Sequence, residues 1–161
     1  MDREALKKRL VEEEGWRRIA YDDHLGHATV GVGLNLDEGH ARTLLQWVGA
    51  DYDAVRAGSA LTNEQVDRLL DRCITEAEEA ARANVPRYAE LPEAAQAVVV
   101  DMVFQMGWPR VRGFQKFLAA LGRLDCSAAA DEMLDSTWAK VQTPRRAEAL
   151  AEIMRACARE D

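Results

Sequence analysis

The sequence predicts a mainly helical α+β domain, in which a long helix joins a small β-sheet lobe to a helical lobe and a cleft lies between the lobes. First, the 161 residues are 48% hydrophobic, which suffices for one domain with a sizeable core. Second, helix-forming residues dominate outside a glycine-punctuated, alternating stretch at 18–36. Third, an amphipathic stretch of about 22 residues ends at Asn84, and a helix of about 33 Å is long enough to connect two lobes.

The predicted limits follow from these patterns. We expect a single domain over 1–161, with the sheet lobe at about 14–61 and the connecting helix at about 62–84. The helical lobe would take up about 85–161 together with the N-terminal helix. A cleft between two lobes is the default place for a binding site.

The first half of the chain carries clear start and stop signals. Asp2 can cap a first helix that Gly15 ends. The stretch at 18–36 indicates a hairpin or a small three-stranded sheet, and a short helix follows at about 38–48. Further on, "TNEQ" predicts a capping box, in which the Thr62 hydroxyl accepts from the Gln65 amide and the Gln65 side chain reaches back.

The second half reads as helices around one apolar helix. Pro92 suits the first turn of that helix, "AAQAVVVDMVFQMG" is apolar nearly all round, and Gly107 ends it. Shorter helices are predicted near 114–122 and 126–134. In the last helix, 144–159, we expect Thr143 to act as the cap and Pro144 to occupy the first position. Trp138 is expected to anchor the core.

Charge and cysteine content exclude some functions. A net charge of −7 argues against a general nucleic-acid binder, although the four basic residues between Met102 and Leu124 leave open either a solvated rim or a local anion-attracting face. Three widely spaced cysteines without a CxxC pair indicate folding in a reducing compartment. The N-terminal "MDREALKKRL" lacks the apolar region of a secretion signal, and no run approaches the length of a membrane span. We therefore expect no export signal and no stable membrane insertion.

Two acidic residues are candidates for catalysis. Glu14 lies at the predicted end of the first helix and Asp23 on the hairpin, so both could face one groove, with Thr29 on its wall. Hydrolysis of an acetal needs one carboxyl that keeps its proton and one that is ionised. Glu14, beside Trp16 and Tyr21, is in the more crowded setting and is the expected acid, whereas Asp23 lies in a polar turn. By spacing alone, ordinary surface charge remains the commoner explanation.

The stretch "EEGWRRIAYDDHLGHATVGVG" resembles the phage-type lysozymes of glycoside hydrolase family 24, the T-even phage lysozyme group. Their catalytic pattern, Glu, eight residues, Asp, five residues, Thr, is matched by Glu14, Asp23 and Thr29. Two further blocks are similar to the family in the same order, "DMVFQMG" at 101–107 and "STWAKVQTPRRA" at 136–147. The resemblance therefore covers the chain nearly from end to end.

The resemblance implies a function and a set of site residues. Glu14 would be the general acid, Asp23 the second carboxylate and Thr29 the residue that holds the attacking water. The predicted substrate-binding residues are Asn35, Phe104, Gln105, Phe117 and Arg146, of which Arg146 corresponds to an arginine that contacts the catalytic glutamate. Such an arginine would favour the charged form of the acid. Two departures from the family pattern are Leu34, where many members have histidine, and Phe117, where the family is commonly polar.

The resemblance also implies the reaction and its setting. The family hydrolyses the β-1,4 bond between N-acetylmuramic acid and N-acetylglucosamine in peptidoglycan, with inversion and without a cofactor or metal. The expected protein is a monomeric endolysin, made in the host bacterial cytoplasm, that reaches the wall through a separate holin and lyses the cell.

Single motifs in the sequence suggest other kinds of site or protein. "GVGLNL" lacks the third glycine and the Lys-Ser/Thr of a phosphate loop, and no serine sits in a nucleophile elbow. His24 and His27 could hold a metal with a neighbouring aspartate, but no third partner follows in sequence. A wall-binding or membrane-disrupting protein stays open through the amphipathic helix at 144–159, whose charges are nearly balanced. So does a lytic transglycosylase, which would tolerate the loss of Asp23.

Overall fold

The computed structural model describes residues 1–158 and has the predicted α+β architecture, mostly helical with one small antiparallel sheet. The predicted last helix included Arg159, and its predicted charge balance included Glu160. Both residues lie outside the described part of the chain. The regular elements are α1 (Arg3–Glu14), β1 (Arg17–Asp22), β2 (Ala28–Gly31), β3 (Leu34–Asn35), α2 (Ala41–Trp47), α3 (Tyr52–Arg56), α4 (Asn63–Asn84), α5 (Glu93–Met106), α6 (Trp108–Val111), α7 (Gln115–Gly122), α8 (Cys126–Leu134) and α9 (Pro144–Cys157), with a 3₁₀ turn at Tyr88–Glu90 and a π-type turn at Trp138–Gln142.

The chain divides into two compact units. The sheet unit comprises Lys7–Thr75, and the helical unit comprises Met1–Leu6 and the chain from Glu76 onward. The division falls within α1 and α4. The predicted lobe limits and the cleft stay predictions.

The sheet unit is organised by a three-stranded antiparallel sheet in the order β1-β2-β3. Tyr21 of β1 pairs with Thr29 of β2, and Thr29 pairs in turn with Asn35 of β3. Gly15, with φ +82°, follows α1 and adopts a conformation that costs glycine little. The predicted sheet is thus confirmed.

Within the sheet unit, α4 begins with the predicted capping box. The Gln65 amide donates to the Thr62 hydroxyl at 3.0 Å, and the Thr62 amide donates to the Gln65 side chain at 2.9 Å. Lys7 of α1 lies 2.8 Å from Asp67 and 3.3 Å from Asp71, so charge pairs link α1 to this part of α4.

The helical unit is built on α5, as its apolar sequence predicts. Residues Val98 to Val103 are all buried, including the charged Asp101. Trp138 is 4% exposed and donates its indole N–H to Gln105, which confirms it as a core anchor. Thr143 takes the cap position of α9 and Pro144 its first position, as predicted. The Thr143 hydroxyl, however, makes no capping bond and accepts a hydrogen bond from Gln105 Nε2 instead.

Candidate active site

The Asp23 carboxylate is held by the turn that connects β1 to β2. Its Oδ1 accepts the backbone N–H of Leu25 at 2.9 Å and that of His27 at 2.8 Å, and the Asp23 amide donates to the His27 carbonyl. The His27 N–H contributes most to lowering the pKa of Asp23, and the Leu25 N–H and the charges of His27 and His24 lower it further. Asp23 is therefore fixed and ionised over the ordinary pH range.

A row of polar side chains crosses the sheet beside this turn. Tyr21, Thr29 and Asn35 are register partners on the three strands, and directly opposed residues of an antiparallel pair share one face. Thr29 is 4% exposed, and its hydroxyl donates to the His27 carbonyl at 3.0 Å, which leaves the oxygen lone pairs as acceptors. Asn35 Oδ1 accepts the Asp37 amide at 2.9 Å.

Glu14 is the last residue of α1, and its carboxyl group lies against the backbone of Gly33. A β-carbon built on Gly33 would stand 2.8 Å from Glu14 Oε2 and 3.0 Å from its carboxyl carbon. Gly33 also has φ +70°, which side chains rarely adopt. The near neighbour of this glycine is therefore the predicted acid.

The pKa of the Tyr21 phenol is affected by both carboxylates. Burial raises the pKa of the Tyr21 phenol, the negative charge of Glu14 raises it further, Arg17 lowers it and Asp23 adds a smaller increase. An effect of both Glu14 and Asp23 on one phenol indicates that the helix end and the hairpin bring their carboxyl groups to the same part of the sheet unit.

Gln105 is fixed by two neighbours within the helical unit. Its Nε2 donates to Thr143 at 3.3 Å, and its Oε1 accepts from the Trp138 indole at 3.1 Å. The amide therefore has a set orientation, with one N–H still able to donate to a ligand. Phe104, the preceding predicted binding residue, is half-buried.

Phe117 lies beside a cavity of about 770 Å³ in the helical unit. Its ring is 1% exposed and packs edge-to-face on Phe114, so little of its surface is available to a sugar. The cavity also has charged walls from Lys116 and Asp135, and Lys140 together with Lys116 lowers the pKa of Asp135.

Arg146 forms a buried ion pair with Asp101. Both Nε and Nη2 of Arg146 bond to Asp101 Oδ1, at 3.1 and 2.8 Å. Asp101 is fully buried and Arg146 nearly so. The predicted relation of Arg146 to Glu14 stays a prediction. Asp101 was not predicted as a partner, because 45 residues separate it from Arg146.

Within residues 1–158, no group of three or more His, Cys, Asp or Glu side chains is arranged to hold a metal ion. None of the helices in that part of the chain combines the length and apolar character needed to cross a membrane.

A helical α+β domain with two carboxyl groups beside a short antiparallel sheet has the features of a glycoside hydrolase. The family model described as phage lysozyme matches residues 11–155, and the chain belongs to the phage lysozyme family. It is similar to two proteins of Dictyostelium discoideum, "Probable T4-type lysozyme 2", 28% identical over 154 residues, and "Probable T4-type lysozyme 1", 26% identical over 151 residues. Each comparison covers 88% of both chains. The protein is thus a lysozyme-like peptidoglycan hydrolase.

Proposed function

We propose that the protein is a muramidase that hydrolyses the β-1,4 bond between N-acetylmuramic acid and N-acetylglucosamine with inversion. The observation that carries this proposal is that the sheet unit holds two carboxyl groups in different ways. Asp23 is fixed by backbone N–H groups that favour its charged form, while Glu14 lies against the Gly33 backbone.

Glu14 is proposed to protonate the glycosidic oxygen as the bond to the anomeric carbon breaks. Asp23 accepts one proton from a water that attacks the opposite face of that carbon. The Thr29 hydroxyl accepts a hydrogen bond from the other O–H of this water, and that hydrogen stays on the oxygen that becomes the new anomeric hydroxyl. Afterwards Glu14 is ionised and Asp23 carries the proton, so proton exchange with solvent restores the starting state. An inverting pair needs room for this water, which sets a separation of about 6.5–9.5 Å between the carboxyl groups.

The predicted binding residues Asn35, Phe104 and Gln105 are proposed to contact the glycan. Asn35 continues the Tyr21–Thr29 row across the sheet, and its amide N–H₂ can donate to sugar hydroxyl or acetamido oxygens. In the helical unit, the held Gln105 amide and the half-buried Phe104 are proposed to contact the glycan. Phe117 and Arg146 are buried, so we propose that they support the binding surface rather than touch the glycan. Phe117 would do so by packing on Phe114, and Arg146 by pairing with Asp101.

A role in bacterial lysis extends the same proposal. Cleavage of glycan strands weakens the wall until osmotic pressure ruptures the cell. Family membership supports an endolysin that acts on the wall after a separate holin has opened the cytoplasmic membrane, and that works as a monomer.

The direct test is the release of reducing ends from purified peptidoglycan. Glu14→Gln keeps the size of the side chain but cannot donate the proton, and we expect kcat to fall by about 10²–10⁴-fold. Glu13→Gln is the matched control, because Glu13 is the exposed preceding residue of α1. Near-normal release by Glu14→Gln would exclude the proposed acid, and equal losses in both variants would point to damage to the helix.

A further inference from the structure

We propose that His27 is a positioning residue, whose ion pair with Asp37 holds both Asp23 and Thr29 in place. The proposal rests on the muramidase function proposed above and adds a residue to its site. His27 itself would not touch substrate. Its effect would pass through the backbone of the turn that connects β1 to β2.

The backbone of His27 is the common partner of both site residues. Its N–H donates to Asp23 Oδ1 at 2.8 Å. Its carbonyl accepts the Asp23 amide at 2.9 Å and the Thr29 hydroxyl at 3.0 Å. A small rotation of the peptide units at His27 would therefore move the carboxylate and the hydroxyl together.

The side chain of His27 links this turn to a second part of the sheet unit. Its Nδ1 lies 3.7 Å from Asp37 Oδ2, in the segment after β3. The other Asp37 oxygen accepts from Arg56 Nη2 of α3 at 2.8 Å, and Arg56 Nη1 donates to the Tyr52 hydroxyl at 3.0 Å. The Tyr52 hydroxyl in turn donates to the Leu36 carbonyl at 2.6 Å. Arg56 of α3 thus binds one oxygen of Asp37, and the other oxygen faces His27.

The contact between His27 and Asp37 is an ion pair only while the imidazole is protonated. The other charged groups around it are Asp23 and His24 in the turn and Arg56 on Asp37. Because both His27 and Asp37 are about half exposed, water and salt screen the pair, and its effect should be a few-fold.

Kinetics on purified peptidoglycan test the proposal. For His27→Gln and Asp37→Asn we expect kcat to fall about three- to tenfold at pH 5.5 with KM unchanged. The double variant should be no worse than Asp37→Asn alone, because Asp37→Asn already removes the contact with His27 and also weakens the one with Arg56. His40→Gln, at the start of α2 and without a side-chain capping bond, should keep wild-type kcat.

Amide hydrogen exchange gives a readout that does not depend on activity. The His27 N–H should exchange several-fold faster in His27→Gln than in the wild type at pH 5.5, and added salt should reduce the difference. Wild-type kcat and exchange rate in both variants would overturn the inference while leaving the muramidase intact. A wild-type protein that releases no reducing ends would instead overturn the proposed function and, with it, the positioning role of His27.

Discussion

The carboxyl group of Glu14 lies directly against the α-carbon of Gly33, so closely that no side chain fits between them. A β-carbon on Gly33 would meet the carboxyl oxygen at 2.8 Å. The end of α1 and the start of β3 therefore fix the proposed acid by shape. Gly33 therefore helps to determine the site because it has no side chain that would displace the Glu14 carboxyl group.

Gly33→Ala should lower activity by more than its effect on stability explains. The added methyl group pushes away the flexible Glu14 side chain, so we expect kcat to fall at least about tenfold. Gly31→Ala is the matched control, because Gly31 has a similar φ of +67° but its β-carbon would meet only Val66, at 3.8 Å. Both variants should lose about 1–2 kcal/mol of stability from the backbone strain. Equal activity of the two variants would show that the contact with Glu14 does not matter.

The Asp23 carboxyl should titrate below the ordinary aspartate value of 3.8. The His27 and Leu25 N–H groups favour its charged form, so its contribution to stability is present above the unfolded-state pKa and is lost as the pH falls through the lower folded-state pKa. Carbon-13 NMR of the carboxyl group in folded protein, compared with protein in urea, measures both values. A folded-state midpoint at or above the urea value would contradict the turn geometry.

Removing one member of the Arg146–Asp101 pair should destabilise the protein strongly. Arg146→Met leaves the buried Asp101 carboxylate without this partner, and we expect a loss of about 3–5 kcal/mol in the free energy of unfolding. The double variant Arg146→Met/Asp101→Leu should recover part of that loss, because no charge then remains buried at the pair. Guanidinium denaturation of the two single variants and the double variant measures the coupling. Additive losses would mean that the pair contributes little.

Tyr88 offers a stability test away from the proposed site. Its hydroxyl is buried and makes no hydrogen bond within residues 1–158, so Tyr88→Phe should keep or raise stability at pH 7. Burial, with a smaller increase from Glu78 and a decrease from Arg82, raises the pKa of Tyr88 to about 12. The wild type should therefore lose about 2 kcal/mol relative to Tyr88→Phe as the pH rises from 10 to 12. Parallel unfolding curves of both proteins over this range would contradict the assignment.

Local sequence signals predicted the elements that they specify directly. The capping box at Thr62, the glycine end of α5 and the alternation before Gly33 each act within a few residues, and the structure confirms them. The short helices α3 and α6 were not predicted, because four or five residues carry no full hydrophobic period.

Long-range partners were beyond such signals. Thr143 follows the pattern of a helix cap, yet its hydroxyl bonds to Gln105, which only the packing of α5 brings near. In the sequence, Asp101 is a single charged residue on an apolar helix, and only the fold brings Arg146 to it as a partner. The residues Glu14, Asp23 and Thr29 were predicted from a spaced motif. The role of His27 was not, because it depends on backbone hydrogen bonds that any residue type could make.

The anomeric form of the first product is the most direct test of the central claim. Proton NMR during early turnover of purified peptidoglycan fragments distinguishes the two anomers before they equilibrate. Attack by a water that Asp23 activates, on the face opposite the leaving oxygen, predicts that the α-anomer of the new reducing end appears first. First release of the β-anomer, or of an anhydro sugar, would contradict the proposed roles of Glu14 and Asp23.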